Sequence, residues 1–391
     1  MSDAAMRPAS SGARKALLIG GGAPNSTLIA GALAAFLDHG IEFDVISTAG
    51  AGALMGLLYT VPRGGDRRGA LERWMEAGVS DEIYRYFPVN YKVFMKPGGT
   101  ADIYRQWLAA MPWTRPFFDA FGGDSPSGPQ ADWMRLMLAS LSPSDLTPNS
   151  LGLCAHLPFA EEAIDFDALR AGNTHFYINA YNVTQSRMEV WGKDVITPDH
   201  IRAAFAFPFI YPPYRIGESD YIEGAAIQPV NFGALVSDSA DAPGLHRDLD
   251  TLVIFDILGS EKLIRKPRGL YDAWVQSIIT PLVALARQDV RLFELEHNVD
   301  AVSGGPKRRL LKVDLMGGIP AEHWPEVTDW SRSNLRRLFE IGHAAGEAFC
   351  AEHGDLLRQS FGPADAAPTV QPVPNVLTRA ETGAAARLQT A

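Results

Sequence analysis

Apolar runs of strand length alternate with helix-length segments over the first sixty residues. Ala16-Leu17-Leu18-Ile19 is continuously apolar and ends in Gly20-Gly21-Gly22, the pattern of a buried parallel strand feeding a tight loop. Ser26 or Thr27 can cap the next helix, and Gly40 stops it. Residues 43–47 predict a second strand. The small residues Thr48-Ala49-Gly50-Ala51-Gly52-Ala53 then predict a sharp turn into a helix that runs to about Thr60, ahead of Pro62. The period changes every ten to fifteen residues, which predicts a β-α-β-α unit and an α/β fold with a mainly parallel sheet flanked by helices.

Farther along, residues 176–183 and 188–191 predict a hairpin, and residues 199–207 a helix ended by Pro208. Strands are predicted at 251–258 and 310–315, and long helices at 271–286 and 330–350. Residues 74–150 break the pattern. Trp74, Tyr84, Tyr86, Phe87, Tyr91, Phe94, Tyr104, Trp107, Trp113, Phe117, Phe118, Phe121 and Trp133 crowd this stretch, and its prolines and glycines predict no long helix. Two readings stay open: an insertion (a lid) that covers the sheet edge and lines an apolar pocket, or a helical subdomain whose aromatics fill its own core. Residues 1–14 read as a flexible leader and 360–391, rich in Ala, Pro, Thr and Gln, as a disordered tail.

Composition narrows the partners. The formal net charge of −10 argues against nucleic acid, which requires a basic face. Attraction to anionic head groups is equally absent, so any contact with a membrane or lipid surface has to come from apolar side chains. The two cysteines, Cys154 and Cys350, lie far apart and offer no metal or redox spacing; they fit a reduced, cytoplasmic setting as small buried residues. No run approaches the ~18 apolar residues of a membrane span. The nine histidines include no pair at metal-ligand spacing, so neither metal nor cofactor is expected. His156 and His175 read as hydrogen-bonded structural residues, and Glu161, Glu162, Asp165 and Asp167 as a solvated face.

The turn at Gly50 has the strand–turn–helix context of a nucleophile elbow, and three blocks in order resemble the patatin-like phospholipases, lipid acyl hydrolases that use a Ser-Asp dyad. They are the loop Gly20-Gly21-Gly22; Asp44-Val45-Ile46-Ser47 through Gly52-Ala53-Leu54-Met55-Gly56; and Ala203-Ala204-Phe205-Ala206-Phe207-Pro208 with Tyr211-Pro212-Pro213, Tyr221-Ile222-Glu223-Gly224-Ala225 and Pro229. The resemblance spans roughly residues 15–231 and implies a single α/β domain over 15–355. Each catalytic block departs from the family pattern. Asn25 stands at the family's loop arginine and Ser26 at the glycine after it. The elbow reads Thr48-Ala49-Gly50-Ala51-Gly52, with Gly50 at the serine and Ala49 and Ala51 beside it. Glu223 falls on the dyad aspartate.

Glycine supplies no nucleophile, and losing one costs on the order of 10⁶ in turnover. Glycine does relieve a turn that is strained for other residues. Glu223 keeps a carboxylate one methylene longer, which can act as general base on a water or a carbon-bound proton over Gly50, or simply as a hydrogen-bonded glutamate at a turn. The N–H groups of the Gly20, Gly21 and Gly22 loop can hold an oxyanion without any side chain, with Asn25 and Ala51 at the same place; Asn25, Ser26 and Thr27 can equally just cap the helix. Lysine at P-loop spacing is absent, which weighs against a nucleotide. Ser47 and Thr48 flank the turn as poorly placed substitute nucleophiles. The expectation is a protein that binds or acts on a lipid-like acyl ester or thioester without ordinary Ser-Asp hydrolysis. A non-catalytic lipid-binding or regulatory protein, or a hydrolase using another nucleophile, are the alternatives.

Overall fold

A computed structural model describes residues 14–22, 25–118, 127–156, 160–236, 246, 249–255, 257–300, 302–320 and 329–358. Residues 1–13 of the expected leader, the expected tail and Phe121 lie outside them. Among the described residues eight strands form one sheet: β1 (Arg14–Ile19), β2 (Val45–Thr48), β3 (His175–Asn182), β4 (Arg187–Gly192), β5 (Tyr214–Ile216), β6 (Ser219–Glu223), β7 (Leu249–Phe255) and β8 (Arg309–Lys312). The order is β5-β6-β3-β2-β1-β7-β8, with β4 on β3. The run β3-β2-β1-β7-β8 is parallel, and β4, β5 and β6 are antiparallel.

Helices cover both faces, which is why the central strands are apolar without alternation. On one face Leu17, Ile19, Ile46 and Phe176 share a core with α1 (Ser26–Asp38), α2 (Ala51–Thr60) and the C-terminal helix Arg332–Leu357. On the other, Ala16, Leu18, Val45 and Tyr177 pack against Val230, Phe232, Leu235 and Phe293. A Cβ on Gly342 would overlap the Leu28 carbonyl and one on Gly31 the Phe339 carbonyl, so glycine alone lets α1 and the C-terminal helix meet at this distance. Among the described residues no helix is long and apolar enough to cross a membrane.

The mixed α/β architecture stands as the pattern predicts, and the residue 176–191 hairpin forms as β3 and β4. Among its described residues the 74–150 segment builds helices of moderate length, Gly99–Ala109 and Pro129–Leu141, and no long one; proline sits at the first turn of the second, where no N–H is needed. Its aromatics differ in setting. Trp74 packs edge-on to Trp330 in the core, while Trp107 and Trp113 are exposed. Residues 214–223 form a hairpin, β5–β6, where no strand was predicted; its strands are too short for alternation to show.

Candidate active site

Strand pairing brings the key residues together. β2 runs along one edge of β3 and ends at Thr48, paired with Ile178; β6 enters the same edge from the opposite direction and ends at Glu223, paired with Ala180. The two strands meet end to end, and their C-terminal ends deliver two groups to one point: Gly50 just past β2, and the Glu223 side chain from β6. The Glu223 N–H donates to the Ala206 carbonyl (3.0 Å), and Gly224 is glycine because a Cβ would run into the Asn179 side chain.

β2 turns sharply into α2 at Gly50. Gly50 has φ +50° and ψ −134°, a strained combination for any L residue. Helix α2 then starts on top of β1, since a Cβ on Gly52 would lie 2.6 Å from the Ile19 carbonyl. The space a residue-50 side chain would take is filled. Glu223 Cδ lies 2.9 Å from where a Cβ on Gly50 would stand and Oε1 lies nearer, with the Ala225 methyl at 3.1 Å. The Glu223 carboxyl group thus occupies the volume a side chain at residue 50 would need, and the vacancy over Gly50 that the sequence suggested does not exist.

Glu223 is 8% exposed, and among the described residues no donor reaches its carboxyl group. Burial alone pushes its pKa up to about 8, so at neutral pH it is mainly protonated. Gly20 cannot serve as an oxyanion donor, because its N–H completes the β1–β7 ladder on the Phe255 carbonyl (2.9 Å). Among the described residues the N–H groups of Gly21, Gly22 and Ala51 have no protein acceptor, and a Cβ on Gly21 would sit 3.6 Å from Glu223 Oε1. Ser47 Oγ donates to the Asn231 carbonyl (2.6 Å) and Thr48 Oγ1 to that of Tyr177 (2.8 Å), which removes both as substitute nucleophiles.

Glu223 lines a cavity of about 650 Å³ together with Gly22, Asn25, Ala51, Phe205, Tyr211 and Ala225. The 74–150 segment contributes Trp74, Tyr84, Val89, Val93 and Phe94, and the helix Leu270–Leu292 contributes Trp274, Val275 and Ile279. Sequence reasoning missed this last wall, since a helix face carries no mark of which cavity it borders. Cys154 is another correction. It is half-buried and faces the cavity, and burial pushes its thiol to about 11, so it is not a nucleophile at neutral pH. His156 stacks on Tyr211, and burial followed by the Arg202 charge lowers its pKa to about 4, so it stays neutral.

A sequence profile described as Patatin-like phospholipase matches residues 17–236, more than half the chain, and the chain belongs to that family. Two solved structures are similar to it. One is VipD from Legionella pneumophila, with TM-score 0.35 and 13% identity over 87% of this chain and 67% of that one. The other is human GIVD cytosolic phospholipase A2 in complex with methyl gamma-linolenyl fluorophosphonate and terbium chloride, with TM-score 0.39 and 13% identity over 88% of this chain. The alignment spans 59% of that second protein. No curated protein matches the chain.

Proposed function

We propose that this member of the patatin-like phospholipase family binds a long acyl or lipid-like ligand with its polar end at Glu223 and does not carry out Ser-Asp ester hydrolysis. One observation carries the reading: the Glu223 carboxyl group fills the nucleophile's volume over Gly50 at the wall of an apolar cavity. Among the described lining residues there is no serine or threonine, and the single carboxyl group is mainly protonated at neutral pH. A cavity of about 650 Å³ with few polar groups suits an apolar ligand. Under this reading residues 74–150 are the lid, and the exposed Phe87, Val89 and Phe209 give an acidic protein an apolar approach to a lipid surface.

The acceptor-free N–H groups of Gly21, Gly22 and Ala51 favour a second reading, serine-free hydrolysis. Here an ionised Glu223 takes a proton from an attacking water while those groups hold the oxyanion, so the rate rises with pH through about 8.

The test is turnover of acyl esters and thioesters from pH 6 to 9.5 by the native protein and Glu223→Gln, beside fluorophosphonate labelling and mass spectrometry of lipid extracted from the purified protein. Co-purified lipid with neither turnover nor label supports ligand binding. Alkaline turnover that Glu223→Gln abolishes selects the second reading. Turnover accompanied by a labelled serine overturns both.

A further inference from the structure

We infer that Asp38, His343 and Glu347 bind a divalent transition metal of the zinc type, which ties the end of α1 to the C-terminal helix. None of the three lines the cavity, so the site stands apart from whatever the cavity holds.

Two helices supply the donors. Asp38 closes α1, and His343 and Glu347 stand one turn apart on the C-terminal helix, on the same face. His343 Nε2 lies 3.1 Å from Asp38 Oδ2 and 4.0 Å from Glu347 Oε1. Among the described residues no other group of three His, Cys, Asp or Glu brings its ligand atoms within 4.8 Å of one another. Ligands around a tetrahedral zinc ion stand about 3.3 Å apart, so these donors have to close by at most about 1.5 Å. His39 follows α1 and meets the other Glu347 oxygen, Nε2 to Oε2 at 3.0 Å, which holds that carboxylate from behind. The frame beneath is stiff. A Cβ on Gly31 would lie 2.6 Å from the His343 main-chain nitrogen, so the two helices touch backbone to backbone beside the site.

Charge points to a cation. Asp38 stands at the C-terminal end of α1, where the free carbonyl groups already make the field negative and the last turn carries no basic residue. Glu347 adds a second acid. Arg68 approaches Asp38 Oδ2 (2.7 Å), but its Nε is shared with Glu72 Oε1 (2.9 Å), so it does not offset both acids. Imidazole–carboxylate hydrogen bonds account for the same distances with a proton in the metal's place; the surplus of negative charge favours the metal. On binding, the ion takes the His343 Nε2 lone pair, and the ring keeps one proton on Nδ1. An imidazole donor selects the ion, because calcium and magnesium take oxygen ligands and zinc accepts nitrogen with oxygen. Asp38, His343 and Glu347 are 43%, 29% and 44% exposed, so an ion reaches them from solvent. A search for paired histidines passes over this site, since it joins one histidine to a carboxylate four residues on and to an acid from another helix.

Full-length protein stripped with EDTA is titrated calorimetrically with zinc, magnesium and calcium chloride, and its melting temperature is read in each. Native protein is expected to take one zinc ion per chain and, at a hundredfold excess over Kd, to gain roughly 3–5 °C in Tm; magnesium and calcium leave Tm unchanged. His343→Ala is expected to abolish this binding. Asp38→Asn, on the other helix, and His39→Gln, behind Glu347, are each expected to weaken it about tenfold or more. His353→Ala removes a histidine farther along the C-terminal helix and should leave the zinc affinity as it is. Native protein that takes no zinc, or binds magnesium or calcium as tightly, overturns the inference without any variant. Zinc binding indifferent to Asp38→Asn places the ion on the C-terminal helix alone and also overturns it. Equal weakening by His343→Ala and His353→Ala overturns it as adventitious binding to surface histidines.

Discussion

Gly50 and Glu223 are complementary in size, and a double-mutant cycle of Gly50→Ser and Glu223→Asp measures it. A Cβ at residue 50 would stand 2.9 Å from Glu223 Cδ, and ordinary contact begins at 3.4 Å, so the carboxyl group must retreat by at least about half an ångström. Overpacking of this kind costs about 1–3 kcal/mol. A non-glycine residue at φ +50°, ψ −134° adds strain of about 1–3 kcal/mol. For a chain of this length 1 kcal/mol moves the melting temperature by roughly 1–2 °C, so Gly50→Ser is expected to lower Tm by roughly 2–12 °C. Glu223→Asp removes a methylene and withdraws the carboxyl group by about 1.5 Å, enough to clear the introduced hydroxymethyl group. In the native background it leaves a gap worth about 1 kcal/mol and lowers Tm slightly. In the Gly50→Ser background it relieves the overlap and raises Tm by roughly 1–5 °C. The same substitution should therefore change sign between backgrounds, as read by differential scanning fluorimetry of the four proteins. A Glu223→Asp effect that is equal in both refutes the packing argument.

Acidity gives a second expectation. The folded-state pKa of Glu223 is raised to about 8, against about 4.3 for an unfolded glutamate. The folded protein keeps a proton that the unfolded chain gives up, so this group's contribution to stability falls as pH rises from about 4.3 to about 8 and is level above that. Glu223→Gln should gain Tm over the native protein across that window, by on the order of a few degrees; a pH-independent difference contradicts the burial argument. Gly342→Ala places a methyl on the Leu28 carbonyl, a main-chain atom that cannot step aside, and should lower Tm by several degrees; an unchanged Tm would show that α1 and the C-terminal helix are not held this close. Cys154, with its thiol near 11, should alkylate about tenfold faster per pH unit from pH 7 to about 10, and more slowly once Nile red fills the cavity; a rate that levels off near pH 8.5 or ignores Nile red contradicts its placement.

What the chain determines by itself is local. Short-range period changes were enough to predict β1, α1, β2 and α2, because a strand buried on both faces and a helix with a small-residue start leave their marks within ten or fifteen residues. The elbow was readable for the same reason: a turn that needs positive φ selects glycine at that residue. The chemistry of the site was not local. Glu223 lies 173 positions after Gly50, and only the end-to-end meeting of β2 and β6 on one edge of β3 sets its carboxyl group over that glycine. Whether the longer acid would point into a vacancy or fill it could not be read from either residue, because the answer depends on fractions of an ångström between strands paired through a third. Glu223 is buried, and its pKa raised, at the wall of a cavity whose other sides come from the 74–150 segment and the Leu270–Leu292 helix, which meet only once the chain is folded.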